Sequence, residues 1–167
     1  MQVPKLKGDY VELFKRGYFL GHTIMVYKDS IERIFAFHEV ATVLDYGCGK
    51  AQPYRQGLLS WAKNTQLYDP FVAEYSHLPP ETKKFDAVIC SDVVEHVPEE
   101  ELDDLLTKIF DRALKCVVLS FCNRPAKKWL PITNGNVHVT LHDKQWWEGK
   151  LEKHNKNKIA VYLFENE

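Results

Sequence analysis

Apolar residues recur at Ile24, Tyr27, Ile31, Ile34 and Phe35 with the three- and four-residue spacing of an amphipathic helix, and a short apolar run follows at 41–44. This predicts a helix feeding a buried strand. Residues 56–62, with Leu58, Leu59 and Trp61, are expected to form the helix that completes the first strand-turn-helix unit. A more polar strand is expected at 66–68, stopped by Asp69-Pro70 because proline removes a ladder donor. Residues 85–90 read as a third strand buried on both faces. The clearest helix follows: Pro98 suits its first turn, Glu99, Glu100 and Glu101 favour the positive end of its dipole, and Leu102, Leu105, Leu106, Ile109, Phe110, Ala113 and Leu114 form its core stripe. Two more strands are expected at 116–121 and 159–164, the last antiparallel to its neighbours. The fold class is therefore α/β. Alternating elements of this kind predict a Rossmann-like, mainly parallel sheet with helices on both faces and ligands at the carboxyl edge of the strands.

The 167 residues, 45% hydrophobic and 27% charged, fit one domain over 1–167, with an N-terminal helical segment at 1–38 and a Rossmann-like core at 41–164. No apolar run is long enough to span a membrane and no secretory leader is visible, so a cytoplasmic protein is expected. Cys48, Cys90, Cys116 and Cys122 lie in or beside strand-like runs without zinc or redox spacing, and read as reduced core thiols. The net charge of −1 conceals a separation of sign: twelve acids and three bases lie between Asp69 and Asp111, nine bases and three acids between Lys115 and Lys158.

Chemistry concentrates where the first strand must turn into a helix, at Asp45-Tyr46-Gly47-Cys48-Gly49-Lys50-Ala51. Glycine allows positive φ and close backbone approach to a ligand. A carboxylate so close to the glycines is unsuited to a pyrophosphate, and Gln52 stands where the dinucleotide fingerprint needs its third glycine. A sulfonium with an amino-acid tail could use that carboxylate. Asp69, ending the next strand, is placed to accept hydrogen bonds from ribose hydroxyls. The alternative is a tight turn, with Asp45 capping a helix and Asp69 opening a turn at Pro70.

The loop resembles motif I of class I (Rossmann-like) S-adenosylmethionine-dependent methyltransferases, acid-x-G-x-G-x-G, and the segment from Phe85 to Val97, with its Val94-Glu95-His96-Val97 ending, resembles their fourth-strand motif. The resemblance covers residues 19 to 164, and residues 124–128 and 138–147 are similar to small uncharacterised phage and bacterial methyltransferase-like proteins. It implies S-adenosyl-L-methionine as cofactor, with Asp45, Gly47, Cys48, Gly49, Asp69 and Ser91 around it. Two departures stand out. Ala51 replaces the third glycine, and only fifteen residues separate Asp69 from Phe85, so the family's third strand is expected to be reduced or missing.

Asp92, Glu95 and His96 are the candidate catalytic residues, sharing one face of a helical turn at i, i+3 and i+4. Three readings stay open. Glu95 or His96 is a general base for the acceptor's proton. Alternatively Asp92, Glu95, His96 and His138 or His142 hold a divalent metal, a pattern loosely similar to the RNA 3′-terminal 2′-O-methyltransferases and suited to magnesium or manganese. In the third, Asp92 and Glu95 form a capping box. Lys127, Lys128 and Trp129 offer charge and a flat face to a single strand. Trp146 and Trp147 would point about 100° apart on a helix, one into the core. Residues 19–23 are a candidate lid. The expected activity is methyl transfer to oxygen or nitrogen of a small molecule or an RNA end, with a non-catalytic binding subunit as the alternative and a homodimer as a further candidate assembly.

Overall fold

The computed structural model describes residues 6–166. Its elements run α1 (Lys7–Lys15), α2 (Lys28–Phe37), β1 (Val43–Tyr46), α3 (Gln52–Arg55), β2 (Thr65–Tyr68), β3 (Phe85–Ser91), α4 (Leu102–Phe110), β4 (Ala113–Cys122), α5 (Lys144–His154) and β5 (Ala160–Asn166). Every strand pair is parallel, in the order β2-β1-β3-β4-β5. The chain steps to one side of β1 to make β2 and to the other to make β3. A crevice opens between the carboxyl ends of β1 and β3, where loops leave in opposite directions.

The continuous apolar strands are explained by burial on both faces. Val88, Cys90, Val117, Leu119 and Phe121 face Leu102, Leu105, Leu106, Ile109 and Phe110 of α4 and Trp147 and Leu151 of α5. Ala87, Ile89, Cys116 and Val118 face the other way, onto Ile31, Ile34 and Phe35 of α2 and onto Leu59 and Trp61. A third cluster joins Tyr10 and Leu13 of α1 to Leu130 and Val137, with Phe19 and Phe71 packed against it. It roofs the carboxyl edge of the sheet.

Several sequence expectations need correction. The last strand is not antiparallel: α5 supplies a crossover between β4 and β5, which brings the chain back in the same direction. The helix expected at 56–62 is instead the single turn of α3, because Gly57 adopts φ +67° and ends it; Leu58 is left exposed while Leu59 and Trp61 reach the core. Helix α4 stops at Phe110, and Ala113 and Leu114 belong to β4, with Leu114 55% exposed. Buried Arg112, donating to the Pro79 and Lys108 carbonyls, fixes the reversal. Pro98 and the three glutamates precede α4 as a 3₁₀ turn at Glu99–Glu101. The missing third strand is as expected: among the described residues only a 3₁₀ turn, Ala73–Tyr75, lies between β2 and β3, so β2 is the sheet edge.

Candidate active site

A cavity of about 860 Å³ opens at the crevice, within the range of small-molecule sites. The β1 loop, Asp69 and Ser91 line one part of it; Tyr10, Phe14, Phe19, Asp92 and His96 line another. The glycines are required by geometry. Gly47 has φ +92°, and a Cβ there would lie 2.4 Å from a Val93 methyl. Gly49 has φ +58°, and its Cβ would lie 2.4 Å from the Phe19 carbonyl oxygen. Ala51, in place of the third glycine, still takes the left-handed conformation at φ +51° and is fully buried. The backbone of the fingerprint survives the substitution.

Residues 19–21 are strapped along this loop, since Lys50 N–H donates to the Phe19 carbonyl at 2.9 Å and Gln52 N–H to the Leu20 carbonyl at 3.0 Å. Asp69 accepts from the Gly49 N–H at 3.0 Å and the Phe71 N–H at 2.9 Å, which leaves each oxygen a free lone pair. Asp45 accepts from the Tyr54 hydroxyl, which in turn accepts from Trp61 Nε1 at 3.3 Å. Both carboxyls are buried and neither pairs with a cation among the described residues. Burial accordingly raises Asp45 to about 7, against the Tyr54 hydrogen bond, and Asp69 to about 6, against its two backbone hydrogen bonds. Cys48 is buried and its Sγ donates weakly to the Gly49 carbonyl; burial pushes the thiol up. Ser91 shares a 2.9 Å hydrogen bond with Ser120.

Asp92, Glu95 and His96 do not present one helical face: the Glu95 and Asp92 carboxyls share a side-chain hydrogen bond, while the His96 ring turns to Tyr10 and Val137. Asp92 has φ +60°, a strained value for a residue with a side chain. Its oxygens accept from Thr23 Oγ1 at 3.0 Å and Asn166 Nδ2 at 3.2 Å. No side-chain cap bond forms at the Val94–His96 turn, so the capping box is absent. Glu95 is fully buried and does not line the cavity; its Oε1 accepts from the Cys122 N–H at 2.7 Å and Oε2 has no N–H donor. Burial first, and the Asp92 charge second, push its carboxyl well up and favour the neutral acid.

His96 does line the cavity. Its Nδ1 lies 3.1 Å from the Val137 carbonyl and 3.0 Å from the Tyr10 hydroxyl. Burial depresses it to about 4, with His138 and Lys128 adding to the effect and Asp92 opposing it. The alternative metal set of Asp92, Glu95, His96 and His138 does not come together. Glu95 Oε1 is taken by the Cys122 N–H, and the Nδ1 atoms of His96 and His138 face the Val137 and Arg124 carbonyls, the latter at 2.6 Å. No metal-ligating group is found among the described residues, and His142 pairs with Glu99 and stacks on Trp146. Trp147 is core and Trp146 half-buried, as expected.

Lys128 reaches the cavity with its ammonium 5.1 Å from the Tyr18 ring centroid and 5.4 Å from that of Phe19. Sequence reasoning missed Tyr10, Tyr54 and Asn166. The only available signal was the spacing of Leu6, Tyr10, Leu13 and Phe14, which reads as a short amphipathic helix. Nothing in it says that Tyr10 meets a histidine 86 positions away.

No helix among the described residues is long and apolar enough to cross a membrane. No curated protein and no solved structure matches the chain. A methyltransferase domain family matches residues 19–158, which takes in the cofactor loop, Asp69 and the Asp92–His96 turn but not α1 or β5. The chain belongs to this family, the methyltransferase domains of the class I, Rossmann-like type.

Proposed function

We propose that this protein transfers the methyl group of S-adenosylmethionine to a hydroxyl oxygen of a small molecule. The observation that carries the reading is one cavity shared by Asp45, Gly47, Gly49 and Asp69 on one side and by His96 on the other. The residues fit the cofactor: buried carboxylates without a cation suit its positively charged methionine end, and Asp69 keeps lone pairs for ribose hydroxyls. When bound, it supplies an electrophilic methyl on a sulfonium. Gly47 and Gly49 let the backbone approach it, and the strap at 19–21 shields the loop from water. His96 is neutral at physiological pH and its Nε2 has no hydrogen-bond partner among the described residues, so it can accept a hydroxyl proton. A base this weak suits oxygen better than an amine. An alkylated hydroxyl is an oxonium, a far stronger acid than imidazolium, whereas an alkylated amine holds its proton more tightly than imidazole does. The buried thiols suit a reducing cytoplasm.

One observation favours an RNA end as the second reading. Trp129 is 60% exposed beside Lys127 and Lys128, and Lys128 reaches the cavity. Thermal unfolding with S-adenosylmethionine and S-adenosylhomocysteine is the first test. Saturation at 100 times the dissociation constant stabilises by about 2.7 kcal/mol, and no shift with either compound rejects the cofactor. Labelled cofactor incubated with fractionated lysate, followed by sizing of the product, separates small molecule from RNA. Binding without transfer to any fraction leaves a non-catalytic binding subunit instead, and activity lost to chelator and restored by manganese would reinstate a metal.

A further inference from the structure

Helix α1 lies outside the family match, yet Tyr10 reaches from it into the centre of the proposed site. The Tyr10 hydroxyl is buried and sits 3.0 Å from His96 Nδ1, 3.2 Å from the His96 carbonyl oxygen and 3.1 Å from the Val137 carbonyl oxygen. A carbonyl only accepts, so the arrangement that satisfies one of the two carbonyls gives it the single hydroxyl proton and turns a phenol lone pair to Nδ1. The Val137 carbonyl, 3.1 Å from the same Nδ1, asks for a proton there as well. Both partners are satisfied only by Nδ1–H. The ring then presents an unprotonated Nε2.

Position and tautomer are fixed together. The Tyr10 ring stacks on Phe71 at 5.1 Å and meets Phe19 at 5.6 Å, while the His96 ring is edge-on to Tyr10, Phe19 and His138. Asp9, next to Tyr10, holds the helix in place by accepting from the N–H groups of Ile132 and Thr133 and from Thr133 Oγ1. Asp92, His138 and Lys128 are the charged or titratable groups that bear on His96 besides Tyr10. None of the three lies within hydrogen-bond distance of its ring nitrogens, so the tautomer falls to Tyr10 and Val137.

We propose that Tyr10 is a positioning residue, which holds His96 as the Nδ1–H tautomer so that the Nε2 lone pair receives the acceptor's proton. This rests on the reading of His96 as proton acceptor. The test is the ¹⁵N spectrum of the histidine rings in the unliganded full chain, with His96 assigned by its loss in His96→Gln. The wild type is expected to show a protonated Nδ1 and a bare Nε2. Tyr10→Phe keeps the stacked ring and removes only the hydroxyl; it leaves the Val137 carbonyl as the one acceptor facing Nδ1, so it is expected to admit a fraction of the Nε2–H form and to slow transfer of labelled methyl to lysate acceptors in proportion to that fraction, with the KM for S-adenosylmethionine unchanged. A wild-type ring protonated on Nε2, or a tautomer unaltered in Tyr10→Phe, overturns the role of Tyr10 and leaves His96 as it stands. The wild-type spectrum needs no variant and decides the first point even if Tyr10→Phe fails to fold. Full methyl transfer by His96→Gln overturns the reading of His96 itself, whatever the tautomer.

Discussion

Asp45 sets binding against stability at a single residue. Its folded-state pKa of about 7 lies above the ordinary carboxylate value, so its stabilising protonated form is fully present below about pH 4 and is lost as pH rises through 7. Asp45→Asn removes the charge while leaving an oxygen for Tyr54. The unliganded variant should be about 2 kcal/mol more stable than wild type at pH 8, with the gap closing toward pH 4, and should lose cofactor affinity. Urea unfolding at the two pH values and calorimetric titration check both halves; a variant less stable than wild type at pH 8 contradicts the account. Gly49→Ala tests the loop's backbone. A positive φ and a Cβ 2.4 Å from the Phe19 carbonyl predict a loss of about 2–4 kcal/mol, read by the same unfolding experiment. The glycines and Asp45 were legible because they are local: a strand end, a turn and an acid are adjacent in sequence. Tyr10 was not, since its partner is fixed only by packing.

Helix α1 is held by one buried carboxylate more than by its own nine residues, too few for stability alone. Asp9→Ala takes a charged acceptor from the N–H groups of Ile132 and Thr133. Local opening of α1 should become easier by about 2 kcal/mol, so its amides should exchange about 30-fold faster while those of β1, β3 and β4 keep their protection. Uniform loss of protection across the sheet would mean that α1 is part of the core rather than a roof over it. The element scale also shows where periodicity misleads. Ala113 and Leu114 continue the helical spacing of α4, but a strand begins there, and two residues at a junction satisfy both periods. The helix expected at 56–62 fails because Gly57 interrupts it, a conformational fact that an apolar pattern does not register.

For the molecule as a whole, the buried carboxyls and His96 respond to pH in opposite directions. Asp45 and Asp69, raised to about 7 and about 6, favour the fold as pH falls toward 4, whereas His96, depressed to about 4, weakens it as pH falls below about 6.5. A cationic ligand beside the two aspartates stabilises their charged forms. Binding of S-adenosylmethionine should therefore release protons below about pH 7, and its affinity should rise between pH 6 and 8 and level off above. Calorimetry in buffers of different ionisation enthalpy counts the protons directly, and proton uptake or an affinity falling with pH contradicts the assignment. The missing third strand acts at this scale too, because it leaves β2 at the edge and Tyr68 and Asp69 beside an open cavity.

The sequence by itself determined the alternating order of strands and helices, the family motifs and the acid-glycine loop, because each depends on neighbours within one or two turns of chain. It also carried the shortened stretch between Asp69 and Phe85, which is a matter of length. Only the tertiary structure decided the direction of β5, the different partners taken by Asp92, Glu95 and His96, and the arrival of Tyr10 and Asn166 at that turn. Those outcomes depend on which surfaces bury one another and which polar groups must find partners once water is excluded. The β1 loop could be read from its glycines; the chemistry facing it depends on a helix that folds back across the sheet to meet His96.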